Sequence, residues 1–289
     1  MNENKTNINW YPGHMAKTRR QIKENISLVD IVYEVIDSRI PYSSRIDDID
    51  DLTNNKPHIL IMTKYDLCDK EETNKFIERF KGAGNYVLTY DLSKNFDLSS
   101  LINLSNEMLK DKIESLREKG LKKDTIRALV VGIPNAGKST LINKIVGRNI
   151  AVTGNKPGVT KNLSWIRIGK NIELLDSPGI LWPKFSSEKE ALNLASTTAI
   201  KEEVLPKDKI AVYIIEFLHK YYPNVLLEKY SISSVEDFDL VYETIGKKRG
   251  FLMKGGVVDY DRVTDCIIND IKQGKISGIT FDRIEDYEF

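Results

Sequence analysis

The sequence is short of the residues that staple or anchor a chain. Of its 289 residues, two are cysteine and three are histidine. Cys68 and Cys266 lie far apart and outside any metal-ligand spacing, so neither a disulfide framework nor a structural zinc site is expected. No run approaches the ~20 uncharged apolar residues that a membrane-spanning helix needs. The opening MNENKTNINW is polar and lacks the apolar core of a signal peptide. These absences lead to the expectation of a reduced, cytoplasmic protein with no membrane partner. Excess charge is missing too: 43 Lys+Arg against 42 Asp+Glu leave a net charge of +1. Bulk electrostatics therefore announce no nucleic-acid partner.

The positive charge that is present is clustered. Residues 1–25 hold Lys5, Lys17, Arg19, Arg20 and Lys23, residues 117–127 hold Arg117, Lys119, Lys122, Lys123 and Arg127, and Lys247, Lys248, Arg249 and Lys254 form a third group. Each is compatible with RNA contact, and each is equally compatible with a solvated surface. Composition, at 41% apolar and 29% charged, is that of an ordinary globular chain. Its length suits one α/β domain with a smaller second domain.

Short β-branched runs recur at 29–36, 58–62, 86–90, 127–132, 163–168 and 172–175. Helical spacing lies between them, as in Phe76, Ile77 and Phe80, or Leu98, Leu101, Ile102 and Leu109. Strands alternating with amphipathic helices predict a mainly parallel six-stranded sheet covered on both faces. Gly169-Lys170-Asn171 between the last two runs reads as a hairpin, and predicts one antiparallel strand. Beyond residue ~185 the strand pattern gives way to helical stripes such as Ile210, Ile214, Phe217 and Leu218, or Val263, Cys266, Ile267 and Ile271. The expected division is an α/β domain over 1–185, including an N-terminal segment 1–25, and a small all-helical domain over 186–289.

Gly132-Ile133-Pro134-Asn135-Ala136-Gly137-Lys138-Ser139 fits the phosphate-loop pattern G-x-x-x-x-G-K-[ST], between a buried strand and the helical TLINKIV. Its glycines let backbone N–H groups face phosphate oxygens at a helix N-terminus. Pro134 to Thr140 are thus candidate nucleotide contacts, with Lys138 on the β- and γ-phosphates and Ser139 on Mg²⁺. The strand IELL runs into Asp176-Ser177-Pro178-Gly179. Asp176 is placed to hold the Mg²⁺ water shell, and the Gly179 amide to meet the γ-phosphate. Thr160, in Lys156-Pro157-Gly158-Val159-Thr160, is a candidate Mg²⁺ ligand on a switch loop. D-S-P-G alone is a common turn; its position after a phosphate loop gives it meaning.

Thr63-Lys64-Tyr65-Asp66 closes the strand HILIM. An aspartate here can accept from the guanine N1–H and 2-amino group, a donor pair that adenine lacks. Adenine would leave the carboxylate unpaired at a cost of ~1–3 kcal/mol. Thr63 stands where asparagine is commoner, and Lys64 should lay its stem over the base and tether the phosphate loop. After the next strand, Asp91-Leu92-Ser93-Lys94 is an imperfect second guanine loop, with the amide of Leu92 or of Ser93 facing O6. A kinase or transporter subunit using ATP is disfavoured by the T-K-Y-D motif.

The base-reading motifs precede the phosphate loop, the reverse of the usual order. With Trp10-Tyr11-Pro12-Gly13-His14-Met15-Ala16-Lys17, Asp37-Ser38-Arg39-Ile40-Pro41 and Ile245-Gly246-Lys247-Lys248-Arg249-Gly250, the chain resembles the circularly permuted GTPase family over nearly its whole length. Within it the resemblance is to the ribosome biogenesis GTPase A (YlqF) group. The resemblance implies a circularly permuted P-loop GTPase domain that binds GTP and GDP with Mg²⁺. It implies a role in assembly of the large ribosomal subunit, with a precursor particle, ribosomal RNA and ribosomal proteins as partners. Ile180 stands where many GTPases carry a water-orienting glutamine, and the resemblance implies that His14 takes that task. Asn135 resembles the asparagine of GTPases that use K⁺. Nothing in the sequence demands more than a monomer. The alternative is a slow GTP/GDP-sensing module acting on another RNA or protein.

Overall fold

The computed structural model describes residues 13–94, 96–120, 125–147, 163–168, 172–182, 185–197, 199–200 and 205–288. Strands form where the apolar runs lie: β1 (Ile31–Asp37), β2 (His58–Thr63), β3 (Tyr86–Thr89), β4 (Ile126–Val131), β5 (Ser164–Ile168) and β6 (Ile172–Asp176). They make one sheet in the order β3-β2-β1-β4-β6-β5. Neighbours are parallel except β5, which runs antiparallel to β6. The helices accompanying the sheet are α1 (Gly13–Asn25), α2 (Ile49–Thr53), α3 (Lys70–Gly82), α4 (Leu98–Met108), α5 (Lys110–Glu118) and α6 (Lys138–Val146).

Central β1 is buried along its whole length, which its near-continuous apolar sequence requires. Alternation of side chains then assigns the layers. Tyr33, Val35, Ile61, Val130 and Leu174 share a core with Leu101 of α4 and Leu141, Ile142 and Ile145 of α6. Val32, Leu129, Val131 and Leu175 pack with Ile22 of α1, Leu52 of α2 and Ile180. Ile36, Leu60 and Met62 pack with Phe76 and Phe80 of α3. Helix α3 starts at Asp69, whose carboxylate accepts from the Glu71 and Glu72 amides, and it carries Arg79 and Lys81 in its last turn. All the parallel strands end on one edge, so the loops after β1, β2, β4 and β6 converge there.

After β6 come α7 (Glu188–Ser196), α8 (Lys207–Tyr221), α9 (Pro223–Tyr230), α10 (Phe238–Arg249) and α11 (Tyr260–Lys272). Ser187, Asp237 and Asp259 cap α7, α10 and α11 with their side chains. Pro223 opens α9, where a missing N–H costs nothing. Among the described residues the only β pairing in this part is the Leu252–Val258 bridge. The helices do not stand apart from the sheet: Ile210, Ile214, Leu218 and Ile267 belong to the same buried cluster as Val35 and Val130.

The chain's last stretch returns across the loops following β1 and β2. The Leu67 carbonyl accepts from the Gly278 amide at 2.8 Å, and the Arg39 carbonyl accepts from the Phe281 amide at 2.7 Å. Asp282, wholly buried, accepts from the Tyr42 and Ser43 amides, the Ser43 hydroxyl, the Asn193 amide and the Tyr287 hydroxyl. Burial still raises its carboxyl above the ordinary range. Thr280 and Tyr222 bond Asp69 from the same side.

One carboxylate at this junction carries a pH signature. Glu190 of α7 accepts from the Ser186 amide and hydroxyl, yet burial pushes it up to about 7. A carboxyl raised in the fold stabilises fully below its ordinary value of 4.5, and that contribution is lost as pH rises through about 7. Glu190→Gln fixes the neutral form. Melting the two proteins between about pH 5 and pH 8 should show the wild type losing more stability across that range than the variant. Parallel curves would mean that Glu190 ionises freely in the fold.

Candidate nucleotide site

The strand β4 ends at Val131, and the phosphate loop follows where sterics admit only glycine. Gly132 has φ +156°, and a Cβ there would sit 2.2 Å from the Val35 carbonyl oxygen. Gly137 has φ +99° and faces the Thr63 side chain, with Oγ1 3.1 Å from where a Cβ would be. Asn135 also has a positive φ, of 59°. The loop opens α6 with Gly137 as its N-cap, so Lys138, Ser139 and Thr140 form the first turn. This is the strand–loop–helix arrangement that anion binding at a helix N-terminus needs.

Two tethers join this loop to the end of β2. The Thr63 hydroxyl, fully buried, donates to the Ala136 carbonyl. The Lys64 Nζ donates to the Asn135 carbonyl and to Asp37 Oδ2, both at 2.7 Å. Thr63 therefore keeps a bond to the phosphate loop although it lacks the amide of asparagine. Lys64 has φ +56°, a strained conformation that these bonds hold in place. Burial lowers the Lys64 ammonium, with Asp37 opposing. Burial works to raise Asp37 as well, but Arg39 and Lys64 outweigh it and hold the carboxyl well below the usual range.

The result is one cleft of about 340 Å³, a size suited to a small ligand. It is lined by Thr63, Lys64, Asp66, Leu92 and Ser93 on the base-reading side, and by Asn135, Gly137 and Thr140 on the phosphate side. Asp91 does not line it. It borders an adjoining cleft and accepts from the Ser93 amide and hydroxyl, shaping the loop that presents its neighbours.

On the phosphate loop's far side, Lys138 donates to the Ile133 carbonyl at 2.7 Å. Burial lowers its ammonium to about 8, against the pull of Asp176. Burial raises Asp176 to about 6, against Lys138 and the Ser177 amide. The Asp176 Oδ1 is buried with no hydrogen-bond partner among the described residues. An unpaired buried carboxylate oxygen near the first turn of α6, close enough to interact with Lys138, is a fit for a hard divalent cation, and Ser139 and Asp176 are the residues that would hold it. Gly179 lies directly over the loop: a Cβ there would meet the Pro134 Cα at 2.6 Å. The Ile180 amide donates to the Gly132 carbonyl at 3.1 Å, locking the D-S-P-G segment to the first loop glycine.

The Ile180 side chain points away into the core with Leu129, Val131 and Leu175, so it cannot orient water. Helix α1 packs into that same cluster through Ile22. His14, in the first turn of α1, is exposed, and its carbonyl accepts from the Thr18 hydroxyl. Thr160, its neighbours from Lys156, the segment Trp10-Tyr11-Pro12 and the hairpin tip 169–171 lie outside the described residues. Arg39 is 1% exposed and forms a two-pronged pair with Asp37, so it is unavailable to RNA or phosphate.

Sequence reading missed Asp37, Leu67, Thr197, Lys272 and Gln273, of which the last four line the cleft. Asp37 had a signal: it ends the strand next to the one that carries Lys64. Lys272 and Gln273 had none, since only tertiary structure brings them near Asp66.

Known proteins resemble this chain in sequence and in fold. The family model described as "50S ribosome-binding GTPase" matches residues 127–238. Ribosome biogenesis GTPase A of Priestia megaterium is 45% identical, over 97% of this chain and 98% of its own length. A GDP-bound TM YlqF superposes with a TM-score of 0.64 at 29% identity, covering 92% of this chain and all of that one. A GNP-bound YlqF from T. maritima gives 0.63 at 28% identity, covering 92% and 98%. This chain accordingly belongs to the ribosome biogenesis GTPase A family, enzymes that hydrolyse GTP.

Proposed function

We propose that this GTPase binds GTP in the cleft between Asp66 and the phosphate loop, and couples its hydrolysis to assembly of the large ribosomal subunit. The observation that carries the reading is the double tether of Thr63 and Lys64, which joins the base-reading motif to the phosphate loop in one cleft. Asp66 pairs with the guanine edge, and the amide of Leu92 or Ser93 meets O6. Lys138 and the loop amides take the β- and γ-phosphates. Ser139, Asp176 and Thr160 hold Mg²⁺, which when bound spreads positive charge over those oxygens. The Gly179 amide senses the γ-phosphate. Residues 186–289 act as the helical domain that, with the basic clusters, meets ribosomal RNA on a precursor particle in the cytoplasm. The resemblance and the relatives' names support the ribosomal partner.

Because Ile180 is buried in the core, the water-orienting group must come from elsewhere, and His14 is exposed on a helix packed beside Ile180. The same burial favours a slow intrinsic rate, raised when the particle brings His14 to the site. Asn135 provides the place for K⁺ between the phosphates. The test is GTP turnover with and without purified large subunits and precursor particles, in K⁺ and in Na⁺ buffer, with ATP as control. Expected are stimulation for GTP alone, a lower rate in Na⁺, and loss of most of the stimulated rate in His14→Ala with GTP binding retained. One positioned proton-transfer group is worth about 10²–10⁴-fold. Turnover indifferent to every particle would leave a GTP/GDP sensor with another RNA or protein partner.

A further inference from the structure

The nucleotide cleft has a wall that does not belong to the GTPase motifs. Lys272, the last residue of α11, and Gln273 line it together with Asp66, Ser93, Asn135 and Thr140. We infer that the helical domain completes the guanine-nucleotide site, with Lys272 and Gln273 touching the bound nucleotide. The inference rests on the reading of this cleft as the GTP site.

The two residues are held at the cleft from both sides. Just before them, the Ile271 carbonyl accepts from the Arg39 Nη1 at 2.9 Å. Just after them, Gly274 has φ +68° and its Cβ position lies 3.0 Å from Leu67 Cδ2. A larger residue would be strained there and would push against the loop that carries Asp66. Farther on, the Leu67 carbonyl accepts from the Gly278 and Ile279 amides at 2.8 and 3.4 Å. Arg39 is itself locked to Asp37, and Asp37 to Lys64. The end of α11 is therefore fastened to the base-reading loop, and moves with it.

Their chemistry suits a nucleotide. A helix C-terminus carries negative partial charge from its unpaired carbonyls, a poor neighbour for an anion. Here the Ile271 carbonyl accepts from both Arg39 and the Gly274 amide, at 2.9 and 3.1 Å, and the Asn269 and Asp270 carbonyls accept from the Gln273 and Ile276 amides. Lys272 adds a cation at the rim, and Gln273 offers both a donor and an acceptor to ribose hydroxyls or the base edge. By linkage, docking of the helical domain on the Leu67 loop and nucleotide binding then strengthen each other by one common factor.

The experiment is binding of fluorescent GDP to the full chain, comparing wild type, the double variant Lys272→Met with Gln273→Ala, and Lys110→Ala as a charge control at an exposed position of α5. The double variant should bind about ten-fold more weakly, the loss of about one hydrogen bond to a charged group. Its melting temperature without nucleotide should match wild type, while its GDP-induced rise in melting temperature shrinks. Lys110→Ala should bind as wild type. GDP affinity within two-fold of wild type in the double variant overturns the inference, whereas a wild type that fails to prefer GDP over ADP overturns the reading beneath it. If the double variant melts early without nucleotide, acylation of Lys272 in the unaltered protein decides: GDP should slow it and ADP should not, and equal rates sink the idea.

Discussion

Asp66→Asn should weaken GDP binding by at least ~100-fold and turn the site toward xanthine nucleotides. The carboxylate offers two acceptors to the guanine N1–H and 2-amino group, and each bond to a charged group is worth about 1.5–3 kcal/mol. An asparagine offers one acceptor and one donor, so its amide N–H₂ opposes the 2-amino group. Xanthine carries an oxygen at that position and keeps its N1–H, and it matches the amide at both points. The loss should be seen in binding and not in folding, because Asp66 is exposed at the cleft. Competition between fluorescent GDP and unlabelled GDP, XDP and ADP reads the result directly. Undiminished preference for GDP over XDP in the variant would falsify the assignment of Asp66 to the base edge.

The fold was largely legible because its inner strands β1, β2, β4 and β6 are buried almost throughout and punctuated by motif loops. The run 29–36 sits over β1 within two residues, and IELL becomes β6 with Asp176 added at its end. The hairpin signal at 169–171 correctly implied the antiparallel β5–β6 pair, since register there depends on a short turn. The phosphate loop and its partners were legible for a similar reason. Each is a local sequence at a strand end, and a parallel sheet gathers its strand ends along one edge.

What could not be read was long-range. Thr63 looked like the loss of an asparagine contact, yet a buried hydroxyl beside Ala136 supplies a bond that no spacing rule foretells. Arg39 stood out only as part of the segment Asp37-Ser38-Arg39-Ile40-Pro41, and nothing local shows that it is among the most buried side chains of the protein. The tail from Gly274 to Tyr287 holds Ile276, Ile279, Phe281, Ile284 and Tyr287, without a sustained helical or strand period. It is held by carbonyl, amide and carboxylate bonds to residues more than 200 positions earlier, which leave no periodic trace. The helices after residue 185 were thus recognisable as helices, while their seat on the loops after β1 and β2 was not.

That seat depends on Arg39, and Arg39→Ala should cost about 3–5 kcal/mol of stability, the range for breaking a buried ion pair from one side. The guanidinium Nε and Nη2 bond the two Asp37 oxygens at 3.0 and 2.8 Å, and Nη1 reaches the Ile271 carbonyl at 2.9 Å. Truncation leaves Asp37 buried with Lys64 as its remaining cation, leaves the Ile271 carbonyl short of a donor, and opens a cavity. A loss of this size is a large share of the ~5–15 kcal/mol that holds a domain folded. The acid limb should move as well. A carboxyl depressed in the fold contributes stability above its unfolded value, lost as pH falls through the folded one. With Arg39 gone, the Asp37 folded value rises, so acid unfolding should begin at higher pH in the variant. Lysine cannot span both Asp37 oxygens and the Ile271 carbonyl, so Arg39→Lys should recover only part of the loss. Urea unfolding of the three proteins, repeated at falling pH, measures both effects. A midpoint for Arg39→Ala within experimental error of wild type would mean that the junction between the sheet loops and α11 is carried by Asp282 and the Leu67 carbonyl without it.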